Sequence, residues 1–98
     1  MNIEIYKNDV SELCRKRNVK ALYIFGSALT EKFNDESDVD LIVSFNQMPV
    51  EEYADNYFDL KFALQDTFKK PVDLLEEQAI KNPYLLKNIF QHRQLIYG

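Results

Sequence analysis

Apolar positions along this chain change their spacing several times, and each change marks an element. From Ile3 to Arg17, residues Ile3, Tyr6, Val10, Leu13 and Cys14 recur at helical intervals and fall on one face of an amphipathic helix. Val19-Lys20-Ala21-Leu22-Tyr23-Ile24-Phe25 and Asp38-Val39-Asp40-Leu41-Ile42-Val43-Ser44-Phe45 are short runs rich in β-branched and aromatic residues, and both read as strands. Between them Ala28-Leu29-Thr30-Glu31-Lys32-Phe33 fits a short helix. Asn46-Gln47-Met48-Pro49 breaks the chain, and Val50 to Lys69 then reads as a long helix with Tyr53, Tyr57, Leu60, Leu64 and Phe68 as its core stripe. Phe58 and Phe62 fall at the edge of that stripe or beyond it; burial beneath the C-terminal helix is the expectation, a partner surface the other reading.

The remainder keeps alternating. Lys70-Pro71-Val72-Asp73-Leu74-Leu75 is a short strand, with Pro71 tolerated at its start. Glu76 to Ile80 reads as a helical turn, and Asn82-Pro83 opens a last helix that runs to about Phe90. Gln94 to Tyr97 is a final short strand. The fold class is therefore α+β with α/β-type alternation: a small mixed β-sheet with flanking helices, formed by one domain spanning 1–98.

Composition narrows the function classes. A hydrophobic content of 46% in 98 residues is enough for a modest core. No apolar run approaches the ~18 residues that span a bilayer, no signal-peptide pattern is visible, and Cys14 is the single cysteine, so a cytoplasmic location without membrane contact is expected. Zinc-type spacing and disulfide frameworks cannot be built, and Cys14 reads as a small core or boundary residue. His92, the only histidine, lies in the polar stretch Gln91-His92-Arg93-Gln94 and reads as a surface or helix-end residue. Net charge is −4 with Lys and Arg dispersed, so the chain gains little from counterion release on long nucleic acid.

The candidate chemistry sits at strand ends. Gly26 is the only glycine before the terminal Gly98, and it stands where the first strand must turn sharply. With Ser27 opening a helix, Gly26 can hold phosphate on unpaired N–H groups; a plain serine N-cap is the competing reading. Asp38 and Asp40 point to the same side of the next strand, with Cα atoms about 6.6 Å apart, a span that can close on one hard cation. Val39, Leu41, Val43 and Phe45 then bury on the other side. Oxygen-only donors favour Mg²⁺ or Mn²⁺, completed by substrate phosphates. Asp73, flanked by Val72, Leu74 and Leu75, joins them if its strand lies beside that of Asp40; otherwise it is a solvent-facing strand residue. An EF-hand is ruled out because an apolar strand follows Asp40 where further oxygen ligands are needed.

Taken together, Gly26-Ser27, the ten-residue spacer Ala28 to Ser37, Asp38-Val39-Asp40 and the later Asp73 resemble the signature of the minimal nucleotidyltransferases of the DNA-polymerase-β-like nucleotidyltransferase superfamily. The resemblance implies that fold, with two Mg²⁺ ions (Mn²⁺ possible) held by Asp38 and Asp40, and Asp73 completing a metal site and helping to deprotonate the attacking hydroxyl. It further implies that Gly26 and Ser27 hold the β- and γ-phosphates of the nucleotide, with ATP as the substrate. Many members carry an arginine just after the Gly-Ser, where this chain has Ala28; Lys32 is the nearest cation in sequence. Relatives of this size are commonly paired with a protein of the higher-eukaryote-and-prokaryote nucleotide-binding (HEPN) class. The implied function is an adenylyltransferase that moves AMP onto a tyrosine of a HEPN toxin, a type VII-like antitoxin. Transfer to a small-molecule hydroxyl and a non-catalytic inhibitor subunit are the alternatives.

Overall fold

The computed structural model describes residues 2–26 and 37–98. The short helix expected over 28–33 lies outside them, as do Ser27, Ala28 and Lys32. A single 3-10 turn, Ile3–Tyr6, leads into helix α1, Lys7–Arg15. Strands β1 (Val19–Phe25) and β2 (Val39–Phe45) follow, then helix α2 (Val50–Phe68), strand β3 (Val72–Glu76), a 3-10 turn at Glu77–Ala79, helix α3 (Pro83–His92) and strand β4 (Gln94–Tyr97). The one helix expected from Ile3 to Arg17 is thus a tight turn feeding a shorter α-helix.

The sheet has the order β3-β2-β1-β4. β1 runs antiparallel to both β2 and β4, while β2 and β3 are parallel, α2 being the crossover between them. Chain reversal into β1 uses Asn18 at φ 58, a left-handed conformation that asparagine tolerates better than most residues. Asn82 starts α3 by accepting hydrogen bonds from the N–H groups of Tyr84 and Leu85, with Pro83 in the first turn where its missing N–H costs nothing.

The core lies on one face of the sheet. Val10 and Cys14 of α1 and Leu60, Leu64 and Phe68 of α2 cluster with Leu22, Ile24, Val39, Leu41, Val43 and Leu74. Tyr6 meets Phe68 edge-on at 4.9 Å. Cys14 is buried, as its place in the amphipathic pattern implied, and burial pushes its thiol up to about 12, well outside the reactive range.

Two expectations of burial change. β2 does not alternate simply, because Ile42 and Ser44 on the second face are buried too, while Phe45 is only partly so. A central strand of a small sheet is covered on both sides, which an amphipathic pattern alone does not reveal. Phe58 and Phe62 are 50% and 60% exposed, so α3 does not bury them. The reason is strand alternation. Leu22 and Ile24 point into the α1–α2 core, whereas Tyr23 points to the opposite face, where Phe90 and Arg93 at the end of α3 stack above it. α2 and the end of α3 therefore cover different faces of the sheet.

Candidate active site

At the end of β1 the backbone turns through Gly26 at φ 75, a conformation L side chains rarely adopt. A second constraint is steric: a Cβ on Gly26 would stand 2.6 Å from Oδ2 of Asp40. The glycine is therefore required by its conformation and by the carboxylate that lies against it.

Asp40 is centred by strand pairing. It pairs with Phe25 on β1 and with Asp73 on β3, so one row across the sheet carries Asp73, Asp40 and the residue preceding Gly26. The register of β3 is set locally. The Val39 N–H donates to the Pro71 carbonyl at 3.0 Å, and the Val72 N–H donates to Oε1 of Gln65 at 3.1 Å. Adjacent strands lie about 4.8 Å apart, so Asp40 and Asp73 are side by side on the same face. Asp38 stands just before β2, two residues ahead of Asp40, and like Asp73 it is exposed.

The electrostatics report the same convergence. The carboxyl pKa of Asp40 is raised from its ordinary value, first by partial burial, then by the negative charge of Asp73, and then by that of Asp38. Three acids, Asp40 and Asp73 on parallel strands and Asp38 just before β2, thus share one field. Tyr57 of α2 donates its hydroxyl hydrogen bond to the Leu74 carbonyl, and burial and then Asp73 raise the tyrosine's pKa as well.

The donor set is all hard oxygen, which suits Mg²⁺ or Mn²⁺ and not a soft metal. Among the described residues no three His, Cys, Asp or Glu side chains form a ready-made metal cage. Gly26, which carries no side chain, lets the Asp40 carboxylate lie directly against the turn.

Arg93 escaped the sequence reading, which placed it in a polar tail. Gln94 pairs antiparallel with Ile24, so Arg93 stands level with Phe25 at the same end of the sheet as Asp40 and Asp73. Its guanidinium lies 3.7 Å from the centre of the Tyr23 ring and 3.9 Å from that of Phe90, and it bonds Glu77 at 3.0 Å. Nothing local in Gln91-His92-Arg93-Gln94 signals this, since the contacts come from β1 and from the turn after β3. His92, the last residue of α3, is exposed, as its polar surroundings implied.

A glycine turn, Asp38 just before β2, Asp40 on it and Asp73 on the parallel edge strand β3 thus share one end of the sheet. Residues 8–98 match the family model for polymerase beta nucleotidyltransferases, and the chain belongs to that family. A relative in Methanocaldococcus jannaschii, provisionally named a protein adenylyltransferase, is 36% identical over 94 residues, covering 96% of this chain and 91% of the relative. A solved structure described as a minimal nucleotidyltransferase superimposes with a TM-score of 0.78 at 24% identity, over 96% of this chain and 95% of that one. The Shewanella oneidensis complex of a tri-AMPylated HEPN toxin with an MNT antitoxin matches with a TM-score of 0.65 at 17% identity, over 98% of this chain and 72% of that one. At those identities the two structures establish the shared fold. Family membership makes the chain an enzyme of nucleotidyl transfer.

Proposed function

We propose that this protein is a Mg²⁺-dependent adenylyltransferase that moves AMP from ATP onto a tyrosine hydroxyl of a HEPN-class toxin and so acts as its antitoxin. The observation that carries the chemistry is Asp40, held in one row between the end of β1 and Asp73, with its carboxylate against Gly26. The protein acceptor is supported by the provisional name of the Methanocaldococcus jannaschii relative. The HEPN partner is supported by the AMPylated toxin in the Shewanella oneidensis complex. A cytoplasmic location suits both partner and nucleotide, and no helix among the described residues is long and apolar enough to cross a membrane.

In this reading Asp38 and Asp40 bind two Mg²⁺ ions, with Asp73 completing one site. When bound, the ions would neutralise the triphosphate and lower the pKa of the attacking hydroxyl. Gly26 and Ser27 hold the β- and γ-phosphates on backbone N–H groups at the turn after β1. The acceptor oxygen forms a bond to the α-phosphorus as the bond to the bridging oxygen breaks and pyrophosphate departs. Asp73, exposed on the edge strand, takes the hydroxyl proton in this reading.

The test is transfer of label. Incubation with α-labelled ATP, Mg²⁺ and a HEPN protein encoded beside this chain should label the partner on tyrosine, and Asp38→Ala/Asp40→Ala should abolish the label. Full inhibition of the partner by that double variant, with no label in the wild type, would sink the enzymatic reading and leave a binding inhibitor. Label passing only to small hydroxyl compounds would move the acceptor to that class.

A further inference from the structure

The outer face of α2 carries an exposed aromatic pair inside an acidic rim. Phe58 and Phe62, one helical turn apart, are 50% and 60% exposed, and their rings stack at 6.1 Å and 27°. Two large aromatic residues held together in solvent are unusual on a helix that already buries Leu60, Leu64 and Phe68 elsewhere. Around them α2 carries five carboxylates and one lysine. At 100° per residue Glu51, Asp55, Asp59 and Asp66 fall on the same side as the two phenylalanines. Asp59 is paired with Arg17 and Asp66 with Lys69, but among the described residues Glu51, Glu52 and Asp55 make no ion pair. Glu51, Glu52, Asp55 and Asp59 line an open cavity of about 420 Å³ together with Asn18 and Asn56.

We infer that this face of α2 is the docking surface for the acceptor protein, and that it receives a basic amphipathic surface presenting apolar side chains flanked by Lys or Arg. Charge decides among occupants. A second copy of this chain would set carboxylates against carboxylates, and nucleic acid or an anionic membrane would be repelled by the same rim. A lysine- or arginine-rimmed apolar surface satisfies both halves, burying the phenylalanines and pairing Glu51, Glu52 and Asp55.

Location supports a role in acceptor delivery. Phe58 meets Tyr57 edge-on at 5.2 Å, and Tyr57 in turn bonds the Leu74 carbonyl, next to Asp73. β3 is an edge strand of the sheet, so a partner seated on α2 needs to reach around only that strand to bring a hydroxyl to Asp73. The inference rests on the reading that the acceptor is a protein.

Two measurements test it separately from that reading. In the first, the isotope-labelled full chain is titrated with a helical Leu/Lys peptide and, as a control, a helical Leu/Glu peptide, while amide shifts are recorded. The Leu/Lys peptide should shift resonances of α2 around Phe58 and Phe62. Its affinity should fall at least tenfold between 50 and 500 mM salt and at least tenfold in Phe58→Ser/Phe62→Ser or Asp55→Lys, estimates in line with screening of surface charge and loss of paired aromatic anchors. Equal binding of both peptides, shifts confined to other elements, self-association through α2, or no binding up to about 1 mM would each overturn the proposal. In the second, Phe58→Ser/Phe62→Ser should raise KM for the protein acceptor about tenfold while leaving KM for ATP unchanged. An unchanged acceptor KM overturns the docking surface even if transfer occurs. Absence of transfer by the wild type removes the adenylyltransferase reading and leaves the surface to be judged by the peptide titration. Unaltered melting of the variants, expected because both rings are largely in solvent, excludes misfolding.

Discussion

Asp40 is stable in the fold only against opposition. Partial burial, Asp73 and Asp38 all raise its carboxyl pKa above the unfolded value, so ionising it disfavours the native state. That penalty is absent at pH values below the unfolded carboxylate pKa of about 3.9 and grows as pH rises through the folded pKa. Asp40→Asn keeps the shape and removes the charge. In chelator at pH 7 it should melt about 3 °C higher than wild type, a gain of the size seen when a functional charge is relieved, and the difference should shrink towards pH 4. Transfer should be lost in the same variant. A lower Tm at pH 7 would contradict the shared field of the three acids.

Gly26 makes an independent prediction at the same scale. Gly26→Ala forces a Cβ to within 2.6 Å of the Asp40 carboxylate at a positive φ, so either the turn or the carboxylate moves. A loss of about 1–3 kcal/mol in denaturant unfolding is expected, together with nucleotide affinity reduced at least tenfold.

Among the elements, the end of α3 is tied to the sheet through Arg93. Arg93, stacked on Tyr23 and Phe90 and paired with Glu77, ties the end of α3 to the sheet face that bears the acids. Both partners of that pair are largely shielded, at 19% and 25% side-chain exposure, so it is worth more than an open surface pair. Arg93→Ala should lower stability by about 1–2 kcal/mol, and Arg93→Lys should recover only part of it, since an ammonium cannot stack as a guanidinium does. Equal stability of all three proteins in urea would contradict the anchoring role. The elements themselves were legible in the sequence because their signals are local. Pro49, Asn82-Pro83 and the period of Leu60, Leu64 and Phe68 carry their boundaries and faces within a few residues. The burial of Ile42 and the exposure of Phe58 were not legible, because each depends on which layer packs on which face of the sheet.

For the whole molecule, ligand and fold should be linked. If the acids and Gly26 bind Mg²⁺ and a triphosphate together, a non-hydrolysable ATP analogue with Mg²⁺ will raise wild-type stability by about 2.7 kcal/mol at one hundred times its Kd. Asp38→Ala/Asp40→Ala should show no such rise, and chelator should reverse it in the wild type. A rise that survives in the double variant would place nucleotide binding elsewhere.

By itself the sequence determined the alternation of elements, the β1 turn at Gly26 and the core stripe of α2. All of these follow from periodicities of two and 3.6 residues and from residues that restrict their own backbone. Only the tertiary structure decided that β3 lies parallel to β2, which sets Asp73 beside Asp40 instead of leaving it as an ordinary edge carboxylate. It also decided that α2 and the end of α3 cover opposite faces, so that Phe58 and Phe62 remain open to a partner and Arg93 joins the acidic face. Strand order and layer assignment come from contacts between residues far apart in the chain, and no local pattern encodes them.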